Sequence, residues 1–269
     1  MQSIDFYTLP STNYNGITLD DACVWAENIE EIERNDSLYI PNEFYGMPDK
    51  DGITATDFIY GQSNDLNTYI MRIICTKQHV EDTYSCLETR DLTGYLAFPH
   101  DFIEDEKIKK CVHESRNDLL TIKRNYALKS KSYEDYLQWF PSIFPNLLFH
   151  EHSCDSIEKL GDFESNIEEL HKHLSVLNDY GQKIYFDEGK NESFALKKLT
   201  SKYGIICSGK GSNENIEYKE IYEGMEITCN PHTKLHFRYS DQRIYFCWGR
   251  DEIENHKIII AKIGDHWKK

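Results

Sequence analysis

The stretch "HKIIIAKIG" (256–264) sets the tightest limit on what this chain can fold into. A run this short and this apolar reads as a strand covered on both faces, because a half-exposed strand would alternate polar and apolar residues. It requires partner strands and covering helices, and the preceding residues supply both. "NLLFHEH" (146–152) is strand-like, and "CDSIEKLGD" is a short helix ended by Gly161. "FESNIEELHKHLSVLND" (163–179) places Phe163, Ile167, Leu170, Leu174 and Leu177 on one stripe, the mark of an amphipathic helix with His171 and His173 on its solvent side. After the helix "SFALKKLTSKYG" come a loop, "SGKGSNEN", and four strand patterns, "IEYKEIYE", "MEITCN", "KLHFRY" and "RIYFCWG". The order is strand, helix pair, then antiparallel meander, which defines an α+β domain over residues 146–269.

Residues 1–145 read as a separate acidic domain of mixed α/β character. "TLDDACVWAENIEEIERND" (18–36) opens on a helix cap and carries Cys23, Trp25, Ile29 and Ile32 at helical spacing. "NDLNTYIMRIICTK" (64–77) is a second helix, "SLYIPNEFYGMPDKDG" is extended, and "TGYLAFP" is a short strand. Residues 101–132 show no clear pattern, and the prolines of "YEDYLQWFPSIFP" (133–145) suit a domain junction.

Charge divides the chain unequally. The whole carries 30 Lys/Arg against 46 Asp/Glu, a net of −16, which argues against a general nucleic-acid or membrane-surface binder. Residues 230–269 hold eight Lys/Arg and five acids, a net of +3, so the other 229 residues carry −19. A small basic working surface on an acidic body is the expectation. The eight cysteines form no CxxC pair and read as reduced thiols of a cytoplasmic protein. There is no apolar stretch long enough for a bilayer and no leader-like start.

The basic surface centres on "TKLHFRYSDQRIYF" (233–246). With Ser240-Asp241 as a two-residue turn, Lys234 faces Cys247, His236 faces Tyr245, and Arg238 faces Arg243, all on one side. Like charges directly opposite each other are destabilising, so this alignment calls for a reason. RNA cleavage offers one. It needs a 2′-hydroxyl proton removed, charge on the phosphorane stabilised, and the leaving 5′-oxygen protonated. Arginine forks hold phosphate oxygens, while a histidine, or a lysine with a depressed pKa, moves protons near neutrality. Tyr245 or Trp248 could stack a base. The plainer alternative is a solvated charged face, or cations paired to acids of the N-terminal half.

Three stretches in order, "LLFHEHSCDSIEKLGDFESNIEELHKHLSVLND", "KLHFRYSDQRIYF" and "KIIIAKIGDHW", resemble the RelE/YoeB/HigB superfamily of bacterial toxins over about residues 146–269. The resemblance implies a RelE-like helical hairpin packed on a β-meander. It also implies a ribosome-dependent mRNA endonuclease, with His236, Arg243, Lys234 and His266 as catalytic residues and Arg238, Tyr245 and Trp248 binding substrate. RNA or the ribosome is then the partner, no cofactor is needed, and a stress or phage-defence role follows. The chain departs from the family in the long connection over 179–215, in its end at Trp267-Lys268-Lys269, and in its acidic N-terminal half. That half could restrain the toxin or dock a protein partner. Two other readings stay open: a non-catalytic protein-binding module on the same scaffold, and an acidic nucleic-acid mimic that inhibits a DNA-binding enzyme.

Two further motifs carry less. "GIICSGKG" (204–211) nearly fits a phosphate loop, but Gly211 stands where the magnesium-binding hydroxyl belongs, so it reads as a plain loop. His150, His152 and Cys154 alternate as if on a strand, yet a metal needs a further ligand, so they read as ordinary polar residues.

Overall fold

The computed structural model describes residues 2–61, 63–98, 109–112, 116–210, 217–236 and 241–266. The chain forms two units, residues 1–126 and 127–269. The second unit thus begins ahead of the junction expected at Pro145. Among the described residues no helix is long and apolar enough to cross a membrane.

The first unit runs β1 (Asp5–Leu9), α1 (Leu19–Glu33), β2 (Ser37–Pro41), α2 (Ala55–Gly61), α3 (Asp65–Ile74), β3 (Gln78–Val80), α4 (Tyr84–Leu87), β4 (Thr93–Ala97), β5 (Cys111–Val112) and α5 (Arg116–Ala127). Its sheet is parallel throughout, in the order β3-β2-β1-β4-β5. Thr18 and Asp21 close a capping box at the start of α1, which buries Ala22, Trp25, Ile29 and Ile32. Gly94 sits opposite Phe6 across the β1–β4 pair, where a Cβ would lie 2.3 Å from the Phe6 ring. Only glycine lets that ring lie against the neighbouring strand. One sheet face gathers Tyr7, Leu9, Tyr95, Ala97 and Cys111 under Tyr84 and Leu87. Phe98, just past β4, is packed by Trp25, Phe44, Tyr14 and Phe58.

A buried ion pair ties α5 to this sheet. Lys123 Nζ lies 2.5 Å from the Asp36 carboxylate, with side-chain exposures of 5% and 0%. Asp36 Oδ1 also accepts the Ile4 N–H at 2.9 Å.

The second unit runs α6 (Tyr133–Leu137), α7 (Phe140–Ile143), β6 (Leu147–Phe149), α8 (Glu151–Ser156), α9 (Phe163–Val176), α10 (Gln182–Asp187), α11 (Glu192–Tyr203), β7 (Ile206–Ser208), β8 (Lys219–Tyr222), β9 (Met225–Thr228), β10 (His232–Lys234), β11 (Gln242–Cys247) and β12 (Ile258–Asp265). A 3-10 turn (Ile157–Leu160) follows α8, and a π turn (Leu177–Gly181) joins α9 to α10. The main sheet has the order β6-β12-β11-β10-β7, with β6 parallel to β12 and the remaining pairs antiparallel. Strands β8 and β9 are not part of this sheet but form their own two-stranded hairpin. Their turn, Glu223-Gly224, has φ of 48° and 80°, the left-handed pair that tight hairpins require.

The apolar 258–264 run is a central strand, as its composition demands. Helix α9 covers one sheet face, but His171 and His173 are buried on it rather than solvated. The reason is that α9 is packed on two sides. Tyr136 of α6 meets His171 Nδ1 at 2.9 Å, and Thr233 of β10 meets His173 Nδ1 at 2.8 Å.

Removing one partner of the Lys123–Asp36 pair strands a charge in the core. Lys123→Ala should therefore destabilise the first unit by about 3–5 kcal/mol. Arg34→Ala, at an exposed i,i+3 pair with Glu31, should cost under about 1 kcal/mol. Urea unfolding of the two variants gives the comparison, and equal midpoints would refute the structural role of the pair.

Candidate functional site

The β10–β11 hairpin closes later than a two-residue turn allows. His232 pairs with Tyr245, Thr233 with Ile244, and Lys234 with Arg243. The register differs by four residues from the one the sequence pattern predicts. Lys234, not Arg238, is the cation facing Arg243. Arg238 lies outside the described residues.

Because side chains alternate across a strand, these pairings sort the sheet into two faces. Thr233, Ile244 and Ile263 point toward α9. On the opposite face stand two cross-strand rows. One is His232–Tyr245–Lys262 and the other is Lys234–Arg243–Gly264. Beyond a bulge between Tyr245 and Phe246, the same face becomes apolar. There Cys247, Ile259 and Ala261 pack with Ile227, Cys229 and Ile253, and Met225 and Tyr222 of the β8–β9 hairpin close over them. The hairpin thus covers one half of the face, and the other half carries the cations.

Rings border the cationic half. Tyr245 is fully buried, with the His232, Tyr218 and His266 rings at 5.0, 5.3 and 6.2 Å. It is therefore a wall of the site and offers no face to a ligand, while His232, Tyr218 and His266 are partly exposed. Arg243 is only 6% exposed, and its Nη1 donates to the Gln242 carbonyl at 2.9 Å. Burial draws its guanidinium below the usual range. Lys262 is also shifted down, by burial and then by Lys159, against the opposing pull of Asp265 and Glu220.

His232 is the residue the sequence reading missed. Its Nδ1 donates to the Asn230 carbonyl at 3.0 Å, while Asn230 Oδ1 accepts the Tyr218 N–H at 3.0 Å. The ring is thereby held in one tautomer. Burial, then Arg243, Lys234 and His266, push its pKa down to about 4 despite the Asn230 bond, so it is neutral at pH 7. The signal lay in "NPHTKLH", where His232 shares a strand face with Lys234, but a short turn brought His236 into its place.

Other expected site residues lie elsewhere. His236 is exposed with φ of 54°, and its Nε2 donates to Asn166 Oδ1 of α9 at 2.6 Å, which ties it to the helix layer. Trp248 is 6% exposed, stacked flat on Tyr185 of α10 at 4.5 Å. It serves the core and not a base. Lys234, Arg243, Tyr245 and His266 do come together.

His150, His152 and Glu220 bring ligand atoms within 4.8 Å of one another. His150, however, caps α8: its Nδ1 accepts the His152 N–H at 3.1 Å, and its Nε2 faces the Ile221 carbonyl at 3.1 Å. A nitrogen facing a carbonyl must carry the proton, so neither lone pair is left for a cation. Cys154 is on α8, not on a strand. His152 and Glu220 alone are too few for a metal.

Compared with known protein families, curated proteins and solved structures, the chain has no match.

Two histidines, His173 buried and His232 largely so, tie stability to pH. His232 and His173 both have folded pKa values below the ordinary 6.5, His173 through burial outweighing its contact with Glu169. The neutral ring is the one the fold accepts, so their contribution is complete above pH 6.5. It is lost as pH falls through that value toward about 4. For His232 this is on the order of 3 kcal/mol. In H232Q the urea midpoint should fall less between pH 7 and pH 4 than in the wild type, and an identical fall would refute the burial of a neutral ring.

Proposed function

We propose that residues 146–269 form a RelE-like domain that cleaves RNA or blocks translation. In this reading the chain works in the cytoplasm as an effector of a bacterial stress or phage-defence system. The acidic remainder restrains it, since negative surface repels RNA. One observation carries the reading: a chain of net −16 gathers Lys234, Arg243, Lys262, His232 and His266 on one half-face of a sheet, on the side away from α9. The order of strand, helices and antiparallel strands, with the first strand beside the last, supports it further. Arginine and lysine would hold the phosphate, and the ring-lined border would receive a nucleoside.

A second reading, a non-catalytic binding module, is favoured by the depth of Arg243, which is 6% exposed. There the guanidinium stiffens the sheet and the face docks a protein partner.

Expression in a bacterial host separates the two. If RNA is cleaved, the full chain should slow growth and cut ribosome-bound message. Arg243→Ala should lower cleavage about a hundredfold, the roughly 3 kcal/mol of a lost electrostatic contact. Lys197→Ala, on α11, should change nothing. Intact message at full expression would favour the binding module.

A further inference from the structure

The two cross-strand rows differ in chemistry, and the difference assigns parts. In the row His232–Tyr245–Lys262, a proton acceptor and a proton donor stand on either side of a buried ring. They are two strand spacings apart, roughly 10 Å between backbones. In the neighbouring row, Lys234 and Arg243 face each other and Gly264 adds no side chain. Ser156, at the end of α8, and Lys159, in the turn after it, close over Gly264, so an anion held in this row would lie between Lys234 and Arg243, beside the acceptor.

His232 is also the oriented group of the site. Donation from Nδ1 to the Asn230 carbonyl leaves the Nε2 lone pair as the acceptor. Nε2 has no hydrogen-bond partner among the described residues, whereas His236 Nε2 donates to Asn166. Resting on the RNA reading above, we propose that His232, positioned by the Asn230 carbonyl, takes the ribose 2′-hydroxyl proton when a phosphate sits between Lys234 and Arg243. The 2′-oxygen then bonds to phosphorus, the bond from phosphorus to the 5′-oxygen breaks, and the Lys262 ammonium gives its proton to that leaving oxygen. The products are a 2′,3′-cyclic phosphate and a 5′-hydroxyl, with no other reactant consumed. Solvent returns the proton from His232 to Lys262.

The arrangement couples base strength to substrate. Lys234, Arg243 and His266 all oppose a proton on His232, and Tyr245 and Tyr218 are the other polar rings around it. An anion beside Lys234 and Arg243 cancels part of that field. A base that is weak in the empty site thus becomes effective when phosphate is bound.

Two measurements on the full chain test this. The first is NMR titration of the His232 ring with and without inorganic phosphate. The midpoint should lie near 4 in the free protein and climb by about one to two pH units with phosphate. Lys234→Ala should weaken the climb, and an unmoved midpoint overturns the coupling whether or not any variant folds. The second uses ribosomes programmed with a synthetic message, and the same message carrying 2′-deoxyribose. The wild type should cut only the ribose form, leaving cyclic phosphate ends. H232Q should lose at least about a hundredfold in cleavage while binding the message within a few-fold of wild type. If H232Q cleaves like wild type, the role of His232 is overturned and the RNA reading stands. If the wild type binds message but never cuts it, the role falls and RNA binding alone survives. If it neither binds nor cuts, the RNA reading itself is overturned.

Discussion

The β11–β12 ladder is the constraint on which the second unit depends. From Gln242–Asp265 to Tyr245–Lys262 the two strands pair regularly, and then the register shifts by one residue. A bulge of this kind adds a residue to one strand and raises the local twist. Its consequence here is a division of labour on one sheet face. Past the bulge, Cys247, Ile259 and Ala261 form a dry patch that the β8–β9 hairpin closes. Before it, the positions facing the same way carry Arg243, Tyr245 and Lys262. One strand pair thus supplies both the anchor of an inserted hairpin and the floor of a cationic site.

The opposite face shows how that floor is held in register. Thr233 lies between His232 and Lys234 and points the other way, to His173, which in turn reaches Glu169 at 3.1 Å. Both ring nitrogens of the buried His173 are satisfied in this short relay, as buried polar groups must be. A slip of β10 by one residue would break the relay and send the cations into the core. The hydrogen bonds beneath the sheet therefore set which side chains appear above it.

The sequence made much of this legible, and the errors follow a rule. The apolar 258–264 run, the α1, α3, α9 and α11 helices, and the cation-bearing faces were all readable from periodicity. The hairpin register was not. The predicted and observed pairings differ by four residues, an even number, so every side chain kept its face while changing its partner. Lys234, Arg243 and Tyr245 survived that error, and His236 was exchanged for His232. Loop length, which pattern alone does not reveal, was the missing quantity. The buried histidines of α9 were misjudged for another reason. A helix packed on one side buries a narrow stripe, but α9 is packed by β10 and α6 both. The parallel sheet of the first unit was hidden because strands of two to five residues leave too little pattern to read.

Electrostatics explains why a face with Lys234, Arg243 and Lys262 contains a neutral histidine. Two unit charges roughly 7 Å apart interact by about 2.4 kcal/mol at an effective dielectric of about 20. Burial is the largest cause of the low His232 pKa, and Arg243, Lys234 and His266 add to it in the same direction. Arginine has no accessible neutral form, and lysine gives up its proton only well above neutrality. The imidazole is the group that yields most cheaply, and its pKa of about 4 records that outcome. The same arithmetic runs in reverse for an anion. A single negative charge at that distance returns about 2.4 kcal/mol to the protonated ring, nearly two pH units. The protonation of His232 is thereby linked to whatever occupies the space beside Lys234 and Arg243, and by reciprocity a proton on His232 strengthens the hold on that anion. A solvated charged surface would show no such linkage, because water screens each charge from the next. The burial of Arg243 is what gives the cationic half-face this property.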